Sequence, residues 1–220
     1  MFDDADLDAA IAGVMASKYR NAGQTCVCAN RIYVQDGVYD AFAEKMAVAV
    51  GELKVGSGFD DGVSQGPLIN AAAIEKVEHL VADAVSKGAK VVVGGARHEL
   101  GGTFYTPTIL TDVTNDMACA SEEIFGPVAP LYRFKDEADV IAQANDTPYG
   151  LAAYFYARDI GRVYRVAEAL EYGIVGINEG IISTEVAPFG GVKESGLGRE
   201  GGKYGIEEFV EVKYLCIGGI

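Results

Sequence analysis

Apolar residues recur along this chain at two alternating spacings, one typical of helices and the other of strands. Helical spacing is found in five segments, at 7–14, 39–53, 70–85, 138–144 and 160–170. Short strand-like runs lie between or beside them, at 31–35, 90–93, 128–134, 151–156 and 174–177. Strands that alternate with helices predict an α/β domain with a mainly parallel sheet and flanking helices.

Local signals indicate where several of these elements begin and end. Asn70 and Asp159 have side chains that cap helix N-termini, and Gly88 suits the position just after a helix end. Pro148 prevents the helix at 138–144 from continuing. We expect the apolar run at 90–93 to be a buried strand and Ile160 to face inward from its helix.

The end of the chain has a different pattern. Between 209 and 217, Val210, Val212, Tyr214 and Cys216 share one face, while Glu211 and Lys213 lie among the residues of the other. This alternation predicts a C-terminal edge strand. An edge strand can pair with another chain, or it can fold back on its own sheet, and the sequence leaves both arrangements open.

Composition and charge exclude some classes of function. The 220 residues are 50% hydrophobic and 23% charged, which is ordinary for a globular domain with a sizeable core. The formal net charge is −14. An acidic chain repels nucleic-acid phosphates and anionic lipids, so we expect neither nucleic acid nor a membrane as a partner.

The four cysteines and two histidines do not form a metal motif. No cysteine pair has the Cys-x-x-Cys spacing, and the two histidines lie in unrelated segments, so we expect no metal site. There is no basic-then-apolar leader and no apolar run of the roughly 18 residues that a membrane span needs. These features predict a cytoplasmic setting in which thiols stay reduced.

One of these cysteines lies in a polar, glycine-containing stretch at 20–30 that joins a helical segment to a strand. There a substrate could reach the thiol of Cys26, and backbone N–H groups together with Arg20 would favour its thiolate form. The alternative is that Cys26 and Cys28 are small packing residues in a loop corner. The spacing of the residues alone does not decide between these two interpretations.

A resemblance to a known family gives this stretch a meaning. Residues 21–26 resemble the nucleophile motif of the NAD(P)-dependent aldehyde dehydrogenases. Three later stretches match the same family in the same order, at 122–127, 145–151 and 188–200. The Cys26–Cys28 doublet and residues 203–207 are most similar to the succinate-semialdehyde dehydrogenase branch. That branch implies succinic semialdehyde as the small-molecule partner and NAD or NADP as the cofactor.

The resemblance implies roles for several residues. Cys26 falls on the catalytic cysteine, and Cys28 on a second cysteine that can pair with it reversibly as a redox switch. Glu123 and Phe125 fall on positions that meet the nicotinamide ribose. Without the resemblance, the Glu122–Glu123 pair would simply indicate a helix start, and Cys28 a packing residue.

The remaining implied roles concern the substrate. Arg20 and Ser183 match carboxylate-binding positions of the succinate-semialdehyde dehydrogenase branch, and arginine grips a carboxylate well. The alternative for Arg20 is a surface arginine that is favoured by the dipole at a helix end. Phe189 would line the aldehyde pocket, and Glu200 would belong to a proton relay.

Members of this family are more than twice as long as this chain. We therefore expect residues 1–205 to form the catalytic domain and 206–220 a strand of an oligomerisation arm, in a homo-oligomer. The N-terminal cofactor domain would be absent and the chain alone inactive. Two alternatives stay open, namely a non-catalytic fragment that only associates with partners and a dehydrogenase for another aldehyde.

Overall fold

The computed structural model describes residues 1–219. Six helices and eight strands are found in that part of the chain, together with 3₁₀ turns at Arg20–Gly23, Asp36–Val38 and Gly205–Phe209. In chain order they are α1 Leu7–Tyr19, β1 Ile32–Gln35, α2 Tyr39–Gly51, α3 Ala71–Ser86, β2 Lys90–Val93, β3 Thr108–Val113, α4 Ala118–Ser121, β4 Val128–Phe134, α5 Glu137–Asn145, β5 Tyr149–Gly150, β6 Ala152–Phe155, α6 Ile160–Ala169, β7 Ile174–Ile177 and β8 Val192–Lys193.

The largest sheet has four strands in the order β1–β4–β3–β2. β4 pairs in parallel with β1 and with β3, whereas β2 pairs antiparallel with β3. Two smaller pairs complete the strands: β6 runs parallel to β7, and β5 antiparallel to β8. The predicted α/β fold with a mainly parallel sheet and flanking helices is therefore confirmed.

Alternating side chains of the central strands fill a core on each face of the large sheet. On one face, Ile109 and Leu131 pack with Phe42 and Met46 of α2 and with residues of α1. On the other face, the neighbouring Leu110 packs with α3 and α4. Successive residues of a strand point to opposite faces, so one short strand stabilises both layers.

The predicted caps are confirmed. The side chain of Asn70 accepts a hydrogen bond from the backbone N–H of Ala73, and that of Asp159 accepts one from Arg162. Gly88 follows the end of α3 with φ of +108°, a conformation that favours glycine. The two N-terminal caps, Asn70 and Asp159, each satisfy a backbone N–H that has no partner within the first turn of its helix.

Two predictions of burial are wrong. The strand at Lys90–Val93 exists, but its residues are largely exposed, because β2 is the antiparallel edge of the sheet and only β3 covers it. Ile160 is 68% exposed, because it occupies the first turn of α6 on the side away from the core, which receives Val166 instead.

The C-terminal tail differs from its prediction. Residues 210–219 contain no strand paired within the described chain, and their side chains are exposed. The alternating pattern is therefore not part of an edge strand on this chain's own sheet. A strand needs a backbone partner, and none of the described strands lies beside this segment.

The first residues of the chain are built into the sheet. The α-amino group of Met1 donates a hydrogen bond to the carbonyl oxygen of Tyr33 in β1 (2.6 Å), and the N–H of Gln35 donates to the carbonyl oxygen of Met1 (3.0 Å). Phe2 packs in a cluster with Phe134, Phe155 and other residues. Burial of the amino group lowers the pKa of the Met1 α-amino group from 8.0 to about 5.

This lowered pKa predicts a pH dependence of stability. Between about pH 5 and pH 8 the unfolded chain binds a proton at Met1 that the folded chain does not, so the free energy of unfolding should rise with pH across that interval. The expected gain is about 1–4 kcal/mol, towards the lower end because Met1 is only half-buried.

Urea denaturation at several pH values measures this gain, and the chain acetylated at its α-amino group is the matched control. Acetylation removes the ionisable group but leaves an N–H that can donate to Tyr33. The acetylated chain should gain less stability between pH 5 and pH 8. Identical pH profiles for the two proteins would contradict the prediction.

Candidate active site

The loop that carries Cys26 leaves α1 through an unusual backbone conformation. Asn21, Ala22 and Gly23 all have positive φ, at 53°, 54° and 73°. Only glycine adopts such angles freely, so the two other residues are held there by surrounding contacts. The Asn21 side-chain amide donates to the carbonyl oxygen of Gln24 (3.0 Å), which closes the turn locally.

Gly23 is where this loop touches a second loop, at 122–127. A Cβ on Gly23 would lie only 2.2 Å from the carbonyl oxygen of Gly126. A Cβ on Gly126 would in turn lie 2.5 Å from a methyl group of Val77 in α3. The missing side chain of Gly23 thus allows a close contact with the backbone of Gly126, and that of Gly126 allows the second loop to pack on Val77; the first contact joins two of the motifs found in the sequence.

Cys26 is exposed at the end of this loop, and Cys28 is half-buried. The N–H of Cys28 donates to the carbonyl oxygen of Thr25 (3.0 Å), which forms a turn around Cys26. The Cys28 thiol donates to the carbonyl oxygen of Lys18 (3.2 Å). Both thiols are free in this structure, and Cys26 is the one that a solute can reach.

Asn30 fixes the second loop from the other side. Its side-chain nitrogen donates to the carbonyl oxygens of Glu122 (3.0 Å) and Cys119 (3.4 Å), and its side-chain oxygen accepts from the N–H of Ile124 (2.8 Å). Phe125 follows with φ of +51° and an exposed ring. Sequence reasoning missed Asn30, because its partners lie about 90 residues away.

Four of the predicted site residues meet at one cavity. The cavity has a volume of about 520 Å³, and its lining includes Cys26, Cys28, Glu123 and Phe125. The carboxylate of Glu123 and the ring of Phe125 are both exposed. A reachable thiol, a carboxylate and an aromatic ring therefore face the same space, an arrangement typical of a binding cleft.

The other four predicted residues are not part of this lining. Arg20 is exposed just after α1, and Ser183 is exposed in the loop after β7. Phe189 and Glu200 pair with each other through two backbone hydrogen bonds of 2.7 Å, with Phe189 half-buried and Glu200 exposed. The structure therefore does not bring these four residues into the cavity that Cys26 lines.

Tyr154 is a second residue that sequence reasoning missed. Its hydroxyl donates to the carbonyl oxygen of Val27 (2.8 Å), next to both thiols. Burial raises the pKa of Tyr154 well above its usual value, and the neighbouring Cys28 and Cys26 thiols raise it further. The Arg20 guanidinium acts in the other direction and lowers this pKa. Tyr154 therefore stays a neutral hydroxyl that donates to the loop carrying both thiols.

Two buried polar atoms beside the loop have no hydrogen-bond partner in the described structure. They are the amino nitrogen of Lys18, whose residue is fully buried, and the hydroxyl of Thr25. Burial without a partner is costly for an amino group and a hydroxyl alike. Neither residue was expected to matter from sequence, because a lysine at a helix end is usually a surface residue.

The motif at 145–151 has a structural role. The side-chain nitrogen of Asn145 donates to the carbonyl oxygen of Ala169 (2.8 Å), and its oxygen accepts from the N–H of Glu171 (3.0 Å). Arg31 donates to the carbonyl oxygens of Gln143 (2.9 Å) and Ala144 (2.8 Å), at the end of α5. These bonds attach α5 to α6 and to the start of β1.

Two kinds of feature are absent from residues 1–219. No cluster of three or more His, Cys, Asp or Glu side chains that could hold a metal ion is found among them. None of their helices has both the length and the apolar composition required to cross a membrane.

Comparison with known proteins identifies the family. The sequence pattern of the aldehyde dehydrogenase family matches residues 1–215. This chain belongs to the aldehyde dehydrogenase family.

Two relatives are a succinate-semialdehyde dehydrogenase [NADP(+)] of Escherichia coli, 69% identical over 99% of this chain, and a glutarate-semialdehyde dehydrogenase of Pseudomonas aeruginosa, 67% identical over 100% of this chain. The aldehyde dehydrogenase fold is reproduced closely: a solved E. coli NADP-dependent enzyme, 69% identical, superposes over 99% of the chain with a TM-score of 0.98.

These relatives are much longer than this chain. The chain spans 45% of the E. coli relative, 46% of the Pseudomonas relative and 45% of the solved E. coli enzyme. It therefore corresponds to somewhat less than half of a complete family member.

The contacts of Asn30 generate a stability prediction. Asn30→Ala would leave the N–H of Ile124 and the carbonyl oxygen of Glu122 without their partner, so the free energy of unfolding should fall by about 1–3 kcal/mol. Urea denaturation measures the loss. The control is Asn115→Ala, because Asn115 is exposed and bonds only to a side chain, that of Gln143. Its effect should stay within about 0.5 kcal/mol; equal effects would contradict the prediction.

Proposed function

We propose that this chain is the catalytic half of an NAD(P)-dependent dehydrogenase that oxidises an aldehyde with a distal carboxylate, namely succinic semialdehyde, to the acid. The observation that carries the proposal is the exposed thiol of Cys26 on a cavity shared with Glu123 and Phe125. The motifs that hold these residues belong to the aldehyde dehydrogenase family.

In the proposed mechanism, the Cys26 thiolate attacks the aldehyde carbonyl carbon and forms a thiohemiacetal. The backbone N–H of Cys26 stabilises the negative charge that develops on the carbonyl oxygen. Loss of hydride from that carbon leaves a thioester on Cys26, and water then cleaves the thioester and releases the acid. Glu200 is our candidate for carrying protons during this last step, with its carboxylate exposed to solvent.

The residues present fit one end of a nicotinamide cofactor. When bound, this cofactor accepts the hydride. An exposed carboxylate such as Glu123 accepts hydrogen bonds from ribose hydroxyls, and the exposed ring of Phe125 offers an apolar surface beside them. We assign the rest of the cofactor site, and the general base, to the part of longer family members that this chain does not cover.

The proposed substrate class rests on Arg20, Ser183 and the relatives. Succinic and glutaric semialdehydes, the substrates named for two relatives, differ in length but share a carboxylate opposite the aldehyde. Arg20 would bind that carboxylate with help from the Ser183 hydroxyl, and Phe189 would line the aldehyde pocket. Arg20 suits this role because it is exposed at the start of the loop that leads from α1 to Cys26.

We also propose the arrangement of the complete protein. Residues 1–205 are its catalytic domain, and the tail at 206–220 belongs to an oligomerisation arm. Phe209, Val212 and Tyr214 are 84%, 98% and 85% exposed. Apolar side chains that are exposed close together on an unpaired segment favour pairing with another chain. The tail would therefore be covered in a homo-oligomer.

The test of the proposed function uses this chain alone and a chimera that joins it to the N-terminal portion of the E. coli relative. Reduced nicotinamide is followed by absorbance with succinic semialdehyde and NAD or NADP. The chain alone should show no turnover, whereas the chimera should turn over and Cys26→Ser should lower its rate at least a thousand-fold. A chimera that keeps its rate after Cys26→Ser would refute the proposal.

Arg20 is tested in the same chimera. Arg20→Ala should raise KM for succinic semialdehyde about 10- to 100-fold, since it removes a charge-assisted contact of about 1.5–3 kcal/mol. KM for butanal, which has no carboxylate, should stay unchanged, and Arg20→Lys should recover part of the loss. An equal effect on both aldehydes would assign Arg20 a structural role.

We further propose that Cys26 and Cys28 form a redox switch. Peroxide would oxidise the Cys26 thiolate to a sulfenic acid, and the Cys28 thiolate would attack that sulfur, giving a disulfide and releasing water. The Cys28 thiol must first leave the carbonyl oxygen of Lys18. Peptide mapping after mild oxidation should find the linked pair, and Cys28→Ser should abolish it. Oxidation of Cys26 that never yields the linked pair would refute the switch.

A second function, a non-catalytic association module, is favoured by the exposed apolar residues at the chain's end. Leu197 and Val212 are 101% and 98% exposed, which is unusual for a free surface. Light scattering of the purified chain separates the two functions when combined with the chimera assay. Oligomers of the chain together with an inactive chimera would favour association alone.

A further inference from the structure

The sheet of this chain contains a gap one strand wide. β1 pairs only with β4, and β6 pairs only with β7, within the described part of the chain. Met1 and Phe2 lie between β1 and β6 and bond to both: Met1 to β1, and Phe2 through its N–H to the carbonyl oxygen of Tyr156 (3.1 Å), just beyond β6. These two residues bridge the strands at one end only.

The hydrogen bonds fix the direction of this short bridge. Met1 donates to the residue before Val34 and accepts from the residue after it, which is the pattern of a parallel pair between Met1 and Val34. On the other side, Phe2 bonds to Tyr156, and the Asp4 side chain then accepts from the N–H groups of Arg158 and Asp159. The chain thus runs in the same direction as both neighbours.

Beyond Met1 the gap is an open cavity. The cavity described above continues between the facing strands, and its lining includes Arg31–Tyr33 on one side and 151–156 on the other. Backbone groups of alternate strand residues point to the same side. Since Tyr33 bonds to Met1, the N–H of Tyr33 and the carbonyl oxygen of Arg31 face this space, as does the carbonyl oxygen of Tyr154 on the β6 side.

Most side chains above and below the gap are apolar. On one face the cavity is lined by residues of α1, including the small Ala10 and Gly13 and, further along the helix, Ser17 and Lys18. On the other face it is lined by Val140 of α5, Val166 of α6 and Leu170 just after α6. A strand that is covered by helices on both faces is apolar along its whole length. The gap therefore calls for consecutive apolar residues, with small ones facing α1.

We propose that this gap is the acceptor site for one extended, apolar polypeptide strand, parallel to β1 and β6 and leading directly into Met1. Its source would be the part of a longer family member that this chain does not cover, because only a continuation of Met1 has the register already set. With that strand in place, one continuous parallel sheet would join β4, β1, the added strand, β6 and β7. The proposal concerns the fold and does not rest on the proposed catalytic function.

The register predicts which bonds form. The residue two positions before Met1 would pair with Ile32, donating to the carbonyl oxygen of Arg31 and accepting from the N–H of Tyr33. The residue immediately before Met1 would donate to the carbonyl oxygen of Tyr154. A proline two positions before Met1 has no N–H, so it would remove one of these bonds while keeping the extension apolar.

The test compares three extensions of the full chain, each placed before Met1 after an initiating methionine. The first is Val-Ile-Val-Ile, the second is Val-Ile-Pro-Ile, and the third is Gly-Ser-Gly-Ser. The first should slow amide hydrogen exchange at Tyr33 at least ten-fold relative to the third and raise Tm by several degrees. The proline extension keeps the carbonyl oxygen that accepts from Tyr33 but lacks the N–H that donates to Arg31. It should therefore raise Tm and slow the exchange at Tyr33 clearly less than the first extension does, although it is nearly as apolar.

Two results would overturn the proposal. One is equal exchange at Tyr33 in all three proteins, and the other is equal protection by the proline and Val-Ile-Val-Ile extensions, which would indicate non-specific apolar contact.

If the first extension aggregates, the acetylated peptide Lys-Lys-Val-Ile-Val-Ile, with an amidated C-terminus, is added to the unextended chain. Tyr33 protection that saturates with this peptide supports the acceptor site, and exchange that stays unchanged at saturating peptide refutes it. None of these readouts involves aldehyde oxidation, so the outcome is separate from that of the proposed function.

Discussion

The contact between the backbones of Gly23 and Gly126 is the constraint on which the candidate site depends. It joins the loop that carries Cys26 to the loop that carries Glu123 and Phe125, two segments about 100 residues apart in the chain. Because a Cβ on Gly23 would collide with the backbone of Gly126, the distance between the two loops is set at this point by backbone atoms, which cannot move to another rotamer as side chains can. A site built on such a contact holds its groups at a fixed separation, and catalysis and cofactor binding both require this.

The other contacts of the site act around this one. Asn30 holds the second loop by its backbone, and Tyr154 holds the first at the carbonyl oxygen of Val27, so each loop has a polar attachment to a neighbouring element. These bonds help to explain how Asn21, Ala22 and Phe125 stay at positive φ, a conformation that is unfavourable for residues with a Cβ. Strained backbone concentrated at a candidate site is consistent with a functional loop whose shape is stabilised by the surrounding structure.

Much of the fold could be predicted from the sequence, because much of it is encoded locally. Helical spacing and capping residues such as Asn70 and Asp159 act within a few residues, and the helices that they predicted are present. What could not be predicted depends on distant partners: that β2 is an edge strand, that Lys18 is buried, and that the tail has no partner in the described chain. The site follows the same division. Family motifs indicated Cys26, Glu123 and Phe125, whereas Asn30 and Tyr154 act through contacts across the fold.

The cavity beside Cys26 and the gap between β1 and β6 are one continuous space, and this links the candidate site to the completeness of the sheet. In a complete α/β domain, side chains of the sheet and of the helices fill the space below a loop such as the one that carries Cys26. Here part of that space is empty, and the fully buried amino group of Lys18 has no partner beside it. Binding sites enclose most of their ligand, so the walls of this cavity decide how well a bound molecule is held. Filling the gap would therefore do more than add backbone hydrogen bonds, because it would also add a wall to the cavity that Cys26 lines.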